Sequence, residues 1–555
     1  MSRSNTAADI AHVLNRIAYG PRRSDWQRAE ELGPEGYVRW QLEPERIEDT
    51  ELDAKLGGLP TLTMDISEIY RDYPPPQRVE RLMRQDEELD EDARRRIAQQ
   101  SRVPLQELGT ARIMRAVESE RQLSEVLVDF WFNHFNVFSS KGQVRFLLSS
   151  YERDAIRPHV MGSFRRMLGA VAHSPAMLVY LDNWQSAAEE DRKVAGRAPR
   201  ARNDAVEDAI RRMQVSGRTI NPQRMQQLQR QSRQRNNRPP GLNENYAREL
   251  MELHTLGVDG GYSQEDVREV ARALTGWTLT LGSRSPESTG FVFRPDWHDA
   301  EEKVVLNREL PAGRGLEDGE DVLDMLAAHP STATFIATKL CRKFIADEPP
   351  AALVDTVAGA FLRTRGNLRA TTAAVLLSDE FLGPDYHAAK VKSPLEFLAS
   401  TARALEVPVS TNGQLGRVLR QLGAPLYGAS PPTGYPDTAA EWTSANAILA
   451  RMNAGSQLAN GALGGGRGFG ARSGASGDAA NRAARRGPTG RAGRSRGPAG
   501  TVEERTAALL EQILPGGVSD DTREKIVAWG ERQEQAPGNA EIATLILGSP
   551  EFQRR

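Results

Sequence analysis

Three stretches of the sequence gather side chains that can bind a metal or move a proton. The densest is NENYARELMELHTLGVDGGYSQEDVREVARALTGW, from Asn243 to Trp277. At 3.6 residues per turn, Leu242, Tyr246, Leu250 and Leu253 form one apolar stripe. Asn245, Glu249 and Glu252 follow one border of it, and Asn243 and His254 follow the other. Arg248 and Glu252 share the outer side at i,i+4 spacing. Two carboxylates and an imidazole beside a buried stripe are donors for a hard or borderline divalent metal. The spacing Glu252-x-His254 differs from the Glu-x-x-His pairs of di-iron bundles, because it puts the two side chains on different faces. The alternative is a salt-bridge network in which Glu249 or Glu252 pairs with an arginine such as Arg145 or Arg153.

The second stretch is LSEVLVDFWFNHFNVF. Leu123, Val126, Leu127, Phe130 and Trp131 repeat at helical spacing, and His134 continues the series into the core. A buried neutral imidazole needs a partner for each nitrogen, so His134 is either a hydrogen-bonded core histidine or a ligand or base. Asn133 and Asn136 either cap the helix end or line a site. The third stretch, RPDWHDAEEKVVL, places His298 and Asp299 in a loop after a strand, where such a pair serves acid–base chemistry, a metal, or hydrogen-bonded anchoring.

Together these stretches predict a metal site of His134, Glu249, His254 and His298. Glu252 or Asp299 would act as base and Arg248 would orient an anion. A divalent metal there would polarise substrate or acidify bound water, for hydrolysis or, with iron or copper, oxidation. Two rival readings stand beside it: a non-catalytic helical scaffold, and a nucleic-acid binder acting through basic segments. No phosphate loop, nucleophile elbow or HExxH motif is present.

The elements that must position these residues are mainly α-helical. Amphipathic runs such as ADIAHVLNRIAYG, FRRMLGAVAH, TATFIATKLCRKFIAD and PLEFLASTARALE predict a multi-helix, bundle-like array. GWTLTLGS and GFVFRP predict one small β-hairpin near 276–295. Helix punctuation is explicit: Asn243, Ser174 and Ser393 as N-caps, a capping box from Ser263 to Asp266, and Gly257 as a left-handed helix stop. PLYGASPPTGYPDTAAEW is a Pro/Gly-rich loop whose Tyr427, Tyr435 and Trp442 can wall a pocket. AVLLSDEFLG and TLILGSPEFQ echo each other as helices that run into Ser-x-Glu-Phe, with the phenylalanine packing back.

Composition divides the chain. Residues 1–185 form an N-terminal helical region, 241–454 a central one, and 501–555 the C-terminal helices, packing on the same core. Residues 186–240 are a basic Gln/Arg-rich insert, with thirteen Arg or Lys against three Asp or Glu between Arg192 and Arg238. Residues 455–500 are a Gly/Arg-rich insert. Neither insert has an apolar stripe large enough to offset its ordering entropy, so both are expected to be mobile, and nucleic acid would engage 192–238 and 455–500.

The net charge of −2 supplies no global field toward nucleic acid or membrane. The single cysteine, Cys341, excludes an intramolecular disulfide framework. No run is long and apolar enough to span a membrane, and no secretory h-region opens the chain, so a cytoplasmic location is the expectation and envelope or secretion the alternative.

WFNHFNVF, IRPHVMGSFRRMLGAVAHSPAMLVYLDN, the Asn243–Trp277 stretch, the WHD segment, FIATKLCRKFIAD, KVKSPLEF and GYPDTAAEW together resemble a bacterial family called domain of unknown function 1800. The likeness runs from near Ala8 to the terminal GSPEFQRR, less the two inserts. It implies a mostly helical fold and no established activity. It also implies an envelope or secreted setting, and a sulfatase-like partner of the family called domain of unknown function 1501, whose genes are often adjacent.

Overall fold

The computed structural model describes residues 7–75, 91–188, 241–281, 289–411, 413–463 and 500–555. The heart of the basic insert, 192–238, and residues 464–499 of the Gly/Arg-rich insert lie outside them. The elements that matter below are helices α1 (Ala7–Ile17), α2 (Val103–Glu118), α3 (Gln122–His134), α4 (Phe164–Ala172), α5 (Glu244–Glu252) and α6 (Gln264–Ala273). Then come strands β1 (Trp277–Thr280), β2 (Gly290–Phe293), β3 (Lys303–Val305) and β4 (Arg308–Leu310). They are followed by helices α7 (Leu316–Ala328), α8 (Pro330–Phe344), α9 (Pro394–Ala404), α10 (Ala445–Leu463), α11 (Val502–Ile513) and α12 (Asn539–Gly548).

The fold is mainly α, with β1 and β2 paired antiparallel as the expected hairpin, Trp277 opposite Phe293. A second hairpin, β3–β4, escaped the sequence reading. Its turn is Leu306-Asn307, both at positive φ (49° and 63°), the conformation that matches strand twist in two-residue hairpins. Asn307 was the available signal; the leucine beside it masked the turn.

The N-caps hold as read. Asn243 accepts from the Asn245 and Tyr246 amides, Ser174 from Ala176, and Ser263 and Ser393 form reciprocal boxes with Asp266 and Glu396. Gly257 is left-handed at φ +84° as expected, but it does not stop the helix: α5 ends at Glu252 with Leu253 as its C-cap, and turns carry the chain on to Gly257. Helix α10 runs to Leu463, well into the segment read as Gly/Arg-rich. Leu458 and Ala459 are fully buried there, so the apolar face continues past the compositional boundary.

One apolar cluster joins N-terminal, central and C-terminal helices. Buried cations stitch these parts at carbonyl-rich helix ends. The guanidinium of Arg16 (α1) donates to the carbonyls of Phe344, Ile345 and Tyr386, closing the C-terminus of α8. Arg403 (α9) donates to the Gly20 and Val117 carbonyls and pairs with Asp25, both side chains fully buried. The last residues lie alongside 390–392 like a short strand: the amides of Lys390 and Lys392 donate to the Arg555 and Gln553 carbonyls, and the Arg555 amide returns a bond to Lys390. Phe381 and Phe552, which end the two echoed helices, are both buried.

Among the described residues, no helix is long and apolar enough to cross a membrane.

Candidate functional site

The helical stripe of α3 delivers His134 to the core, as its register demands, at 2% exposure. Both ring nitrogens are engaged. Nε2–H donates to the His254 carbonyl at 3.1 Å, and Nδ1 accepts from the Lys339 ammonium at 3.0 Å. Burial first, and then the charge of Lys339, hold the imidazole well below its ordinary value, so it is neutral. His254 is its neighbour, ring centroids 6.3 Å apart. Burial and Lys339 bring His254 down to about 3, and its Nε2 has no partner. Lys339, on α8, was not singled out from the sequence because it reads as an ordinary polar position.

Glu249 and Glu252 remain half-buried on the border of α5. Burial, and then Glu252, raise the Glu249 carboxyl. Glu252 accepts from the Tyr262 hydroxyl at 3.3 Å. Arg248 lies outward and bonds Gln264 at 2.7 Å. The alternative partners are engaged elsewhere: Arg153 pairs with Asp154 and the Leu62 and Met64 carbonyls, and Arg145 lies over the Phe146 ring.

His298 and Asp299 belong to a separate network. The His298 ring faces the Thr275 carbonyl at 2.9 Å and Asp318 at 3.3 Å. Asp299 is held by Arg272 through two bonds of 2.8 and 3.1 Å, and Arg272 also grips Glu269. The buried ammonium of Lys303 closes the circle through Asp318 and the Asp299 carbonyl. The structure thus brings His134 and His254 together, leaves Glu249, Glu252 and Arg248 on the flank of α5, and sends His298 and Asp299 elsewhere. Among the described residues no group of three or more His, Cys, Asp or Glu is arranged to hold a metal ion.

A cleft of about 730 Å³, counting its open mouth, lies one helical step from His134. Its wall includes Phe132, Asn133 and Asn136 from the end of α3, Lys343 from α8, the N-terminus of α9, and the loop carrying Tyr427, Tyr435, Asp437 and Trp442. The two asparagines act as a clamp. Asn133 donates to the Tyr435 carbonyl and accepts from its amide at 2.8 and 2.7 Å. Asn136 donates to the Ala429 and Pro431 carbonyls at 3.0 and 2.8 Å. Gly434 (φ +74°) passes so close that a Cβ would come within 2.5 Å of the Asn133 carbonyl oxygen.

Tyr427 sits at φ +58°, a strained conformation for an aromatic residue. It is anchored by its hydroxyl, which donates to Glu152 at 2.8 Å. Glu152 lies in a π-helical turn (Tyr151–Ile156) and is surrounded by Arg157, Arg112 and Arg115. Burial pushes its carboxyl up, but the three guanidiniums overcome this and hold it at about 2. Arg112 also pairs with Asp129 at the cleft wall, 2.9 Å. Lys343 is engaged by Glu396 at 2.7 Å. The Asp437 carboxylate makes no hydrogen bond or ion pair among the described residues, although the Lys339 and Lys390 ammoniums lie within electrostatic reach of it.

The family model described as a protein of unknown function, DUF1800, matches residues 12–554. The chain belongs to the DUF1800 family. No curated protein and no solved structure matches it. Four of the segments that carry the likeness to DUF1800 meet at the cleft: WFNHFNVF, FIATKLCRKFIAD, KVKSPLEF and GYPDTAAEW each contribute to its wall. Tyr427, Tyr435 and Trp442 line it as their loop suggested. Asp437, Arg112 and Lys343 were missed. Asp437 was hidden within a loop motif read for its aromatics, and the two cations pair with residues far away in sequence.

Proposed function

We propose that this DUF1800 protein binds a small molecule in the α3–α8–α9 cleft. The ligand class is a flat ring bearing an N–H or O–H donor. The observation that carries the reading is the convergence of four distant motif segments on one concave site. The wall chemistry supports the ligand class. Tyr435 and Trp442, ring centroids 6.4 Å apart, present aromatic surface. Arg112 and Lys343 are neutralised by carboxylates, which leaves Asp437 as the acceptor with capacity for a donor. A carboxylate so placed can also take a proton from a bound group. The strain at Tyr427 fits a wall held in place for binding.

Benzamidinium tests this, with benzoate as the ring-matched anion. Benzamidinium should stabilise the protein against heat, benzoate should not, and Trp442→Ala or Asp437→Asn should remove the effect. Undiminished stabilisation in both variants would refute the assignment.

The metal-dependent enzyme read from the sequence stands as a rival proposal. It now rests on His254, whose Nε2 is unpartnered and whose backbone amide donates to the Glu249 carbonyl. Stoichiometric divalent metal in purified protein, lost in His254→Ala, would favour it over the cleft. A sulfatase-like partner protein and nucleic-acid binding through 192–238 and 455–500 are proposals carried by sequence alone.

A further inference from the structure

A second pocket, about 800 Å³ with its open mouth, lies between α1, the 387–392 segment, the second half of α9, residues 513–517 and the chain's last residues. Lys392 lines it at 3% exposure. Its ammonium lies 4.0 Å over the Phe552 ring and donates no hydrogen bond to any described residue. The carboxylates beside it are occupied. Glu396 takes Lys343 and Arg555 on one oxygen and its own N-cap amide on the other. Glu551 is taken by Ser519 and Thr522. Arg555, also 5% exposed and lining the pocket, has an unpartnered Nε. On the facing wall His12 donates through Nε2 to the Phe381 carbonyl, so the unpartnered Nδ1 is a lone-pair acceptor. Asn15 donates to Ala11 and leaves its Oδ1 unpartnered. The pocket therefore offers two buried cations, Lys392 and Arg555, and two bare acceptors, with His387 Nε2 a further ring nitrogen without a hydrogen bond.

We propose that this pocket binds a small oxyanion that carries its own O–H donor, of the hydrogenphosphate class, either free or as the monoanion of a phosphate monoester. Each buried group left without a partner costs about 1–3 kcal/mol, and such an ion answers both donors through its oxygens and one of the two acceptors through its O–H. Water could meet the acceptors but would not neutralise an ammonium flanked by Arg555 and Arg451. The electrostatics agree. Burial foremost, with Arg555 and Arg451 adding to it against Glu396, brings Lys392 down to about 7. An anion favours the charged form, so binding takes up a proton. Besides Lys392 and Arg555, the charged or titratable groups lining the pocket are His12, His387, Glu551 and Arg554.

Thermal stabilisation of the full chain at matched ionic strength tests the site, with inorganic phosphate, methyl phosphate, sulfate and chloride as probes. Phosphate should stabilise more than sulfate, which has no O–H donor at these pH values. Methyl phosphate matching phosphate at pH 6, where its O–H-bearing monoanion is well populated, identifies the monoester as a ligand; a response to phosphate alone at that pH identifies the free ion. Affinity should rise about tenfold from pH 8 to pH 6 as Lys392 becomes charged. Lys392→Met, which keeps the Phe552 contact, should abolish the phosphate effect, and Lys392→Arg should retain binding while flattening its pH dependence. Asn15→Leu should narrow the preference for phosphate over sulfate. Equal responses to sulfate and phosphate, or an undiminished phosphate response in Lys392→Met, would overturn the proposal.

Discussion

Glu152 shows how one buried carboxylate can organise a wall. Arg112, Arg115, Arg157 and the Tyr427 hydroxyl all turn to it. Glu152→Gln removes the charge the three guanidiniums share, although Arg112 keeps Asp129 and Arg157 keeps Glu125, and it costs about 1–3 kcal/mol. Urea unfolding at pH 7 reads that loss. The pH dependence has a definite sign. The folded-state value of about 2 lies below the ordinary value for glutamate, so the stabilisation is fully present above the unfolded value and is lost as pH falls through 4 toward 2. Acid titration of stability between pH 6 and pH 2 should therefore be steeper in the wild type than in Glu152→Gln. Neither Glu152 nor Arg112 stood out in the sequence, because an arginine and a glutamate forty positions apart on separate helices leave no local pattern. His134 did stand out, and its burial was legible from the stripe of α3. Its partners were not, since Lys339 and the His254 carbonyl come from other helices.

At the level of single elements, caps and loops are the parts the chain encodes most locally. Ser393→Ala should destabilise by about 1 kcal/mol in urea unfolding, because its hydroxyl accepts from the Glu396 amide and Glu396 answers to the Ser393 amide. The aromatic loop depends on a different residue. Gly434→Ala combines a positive φ with a clash against the Asn133 backbone. It should abolish benzamidinium stabilisation while leaving far-ultraviolet circular dichroism unchanged, because the loop carries little regular structure. Asn136→Ala should weaken the same response, since Asn136 holds the two carbonyls that aim the loop. Loss of helical signal in either variant would show that the loop belongs to the core.

The molecule as a unit depends on its last residues. Helix α12 packs on α10, Phe552 meets Phe397, and Arg555 shares Glu396 with Lys343. A chain ending at residue 499 would expose Leu458 and Ala459 and strip Glu396 of one cation. It should lose cooperative thermal unfolding and bind ANS, whereas an independent C-terminal unit would leave a sharp transition.

Helical class, the first hairpin, the N-caps and the aromatic character of the 425–442 loop were present in local chemistry, because periodicity and turn residues act over a few positions. The meeting of α3, α8, α9 and that loop, the second network around His298, and the emptiness around the Lys392 ammonium were decided by packing. Contacts between residues hundreds of positions apart depend on which helix faces close on one another, and no short window of sequence carries that information.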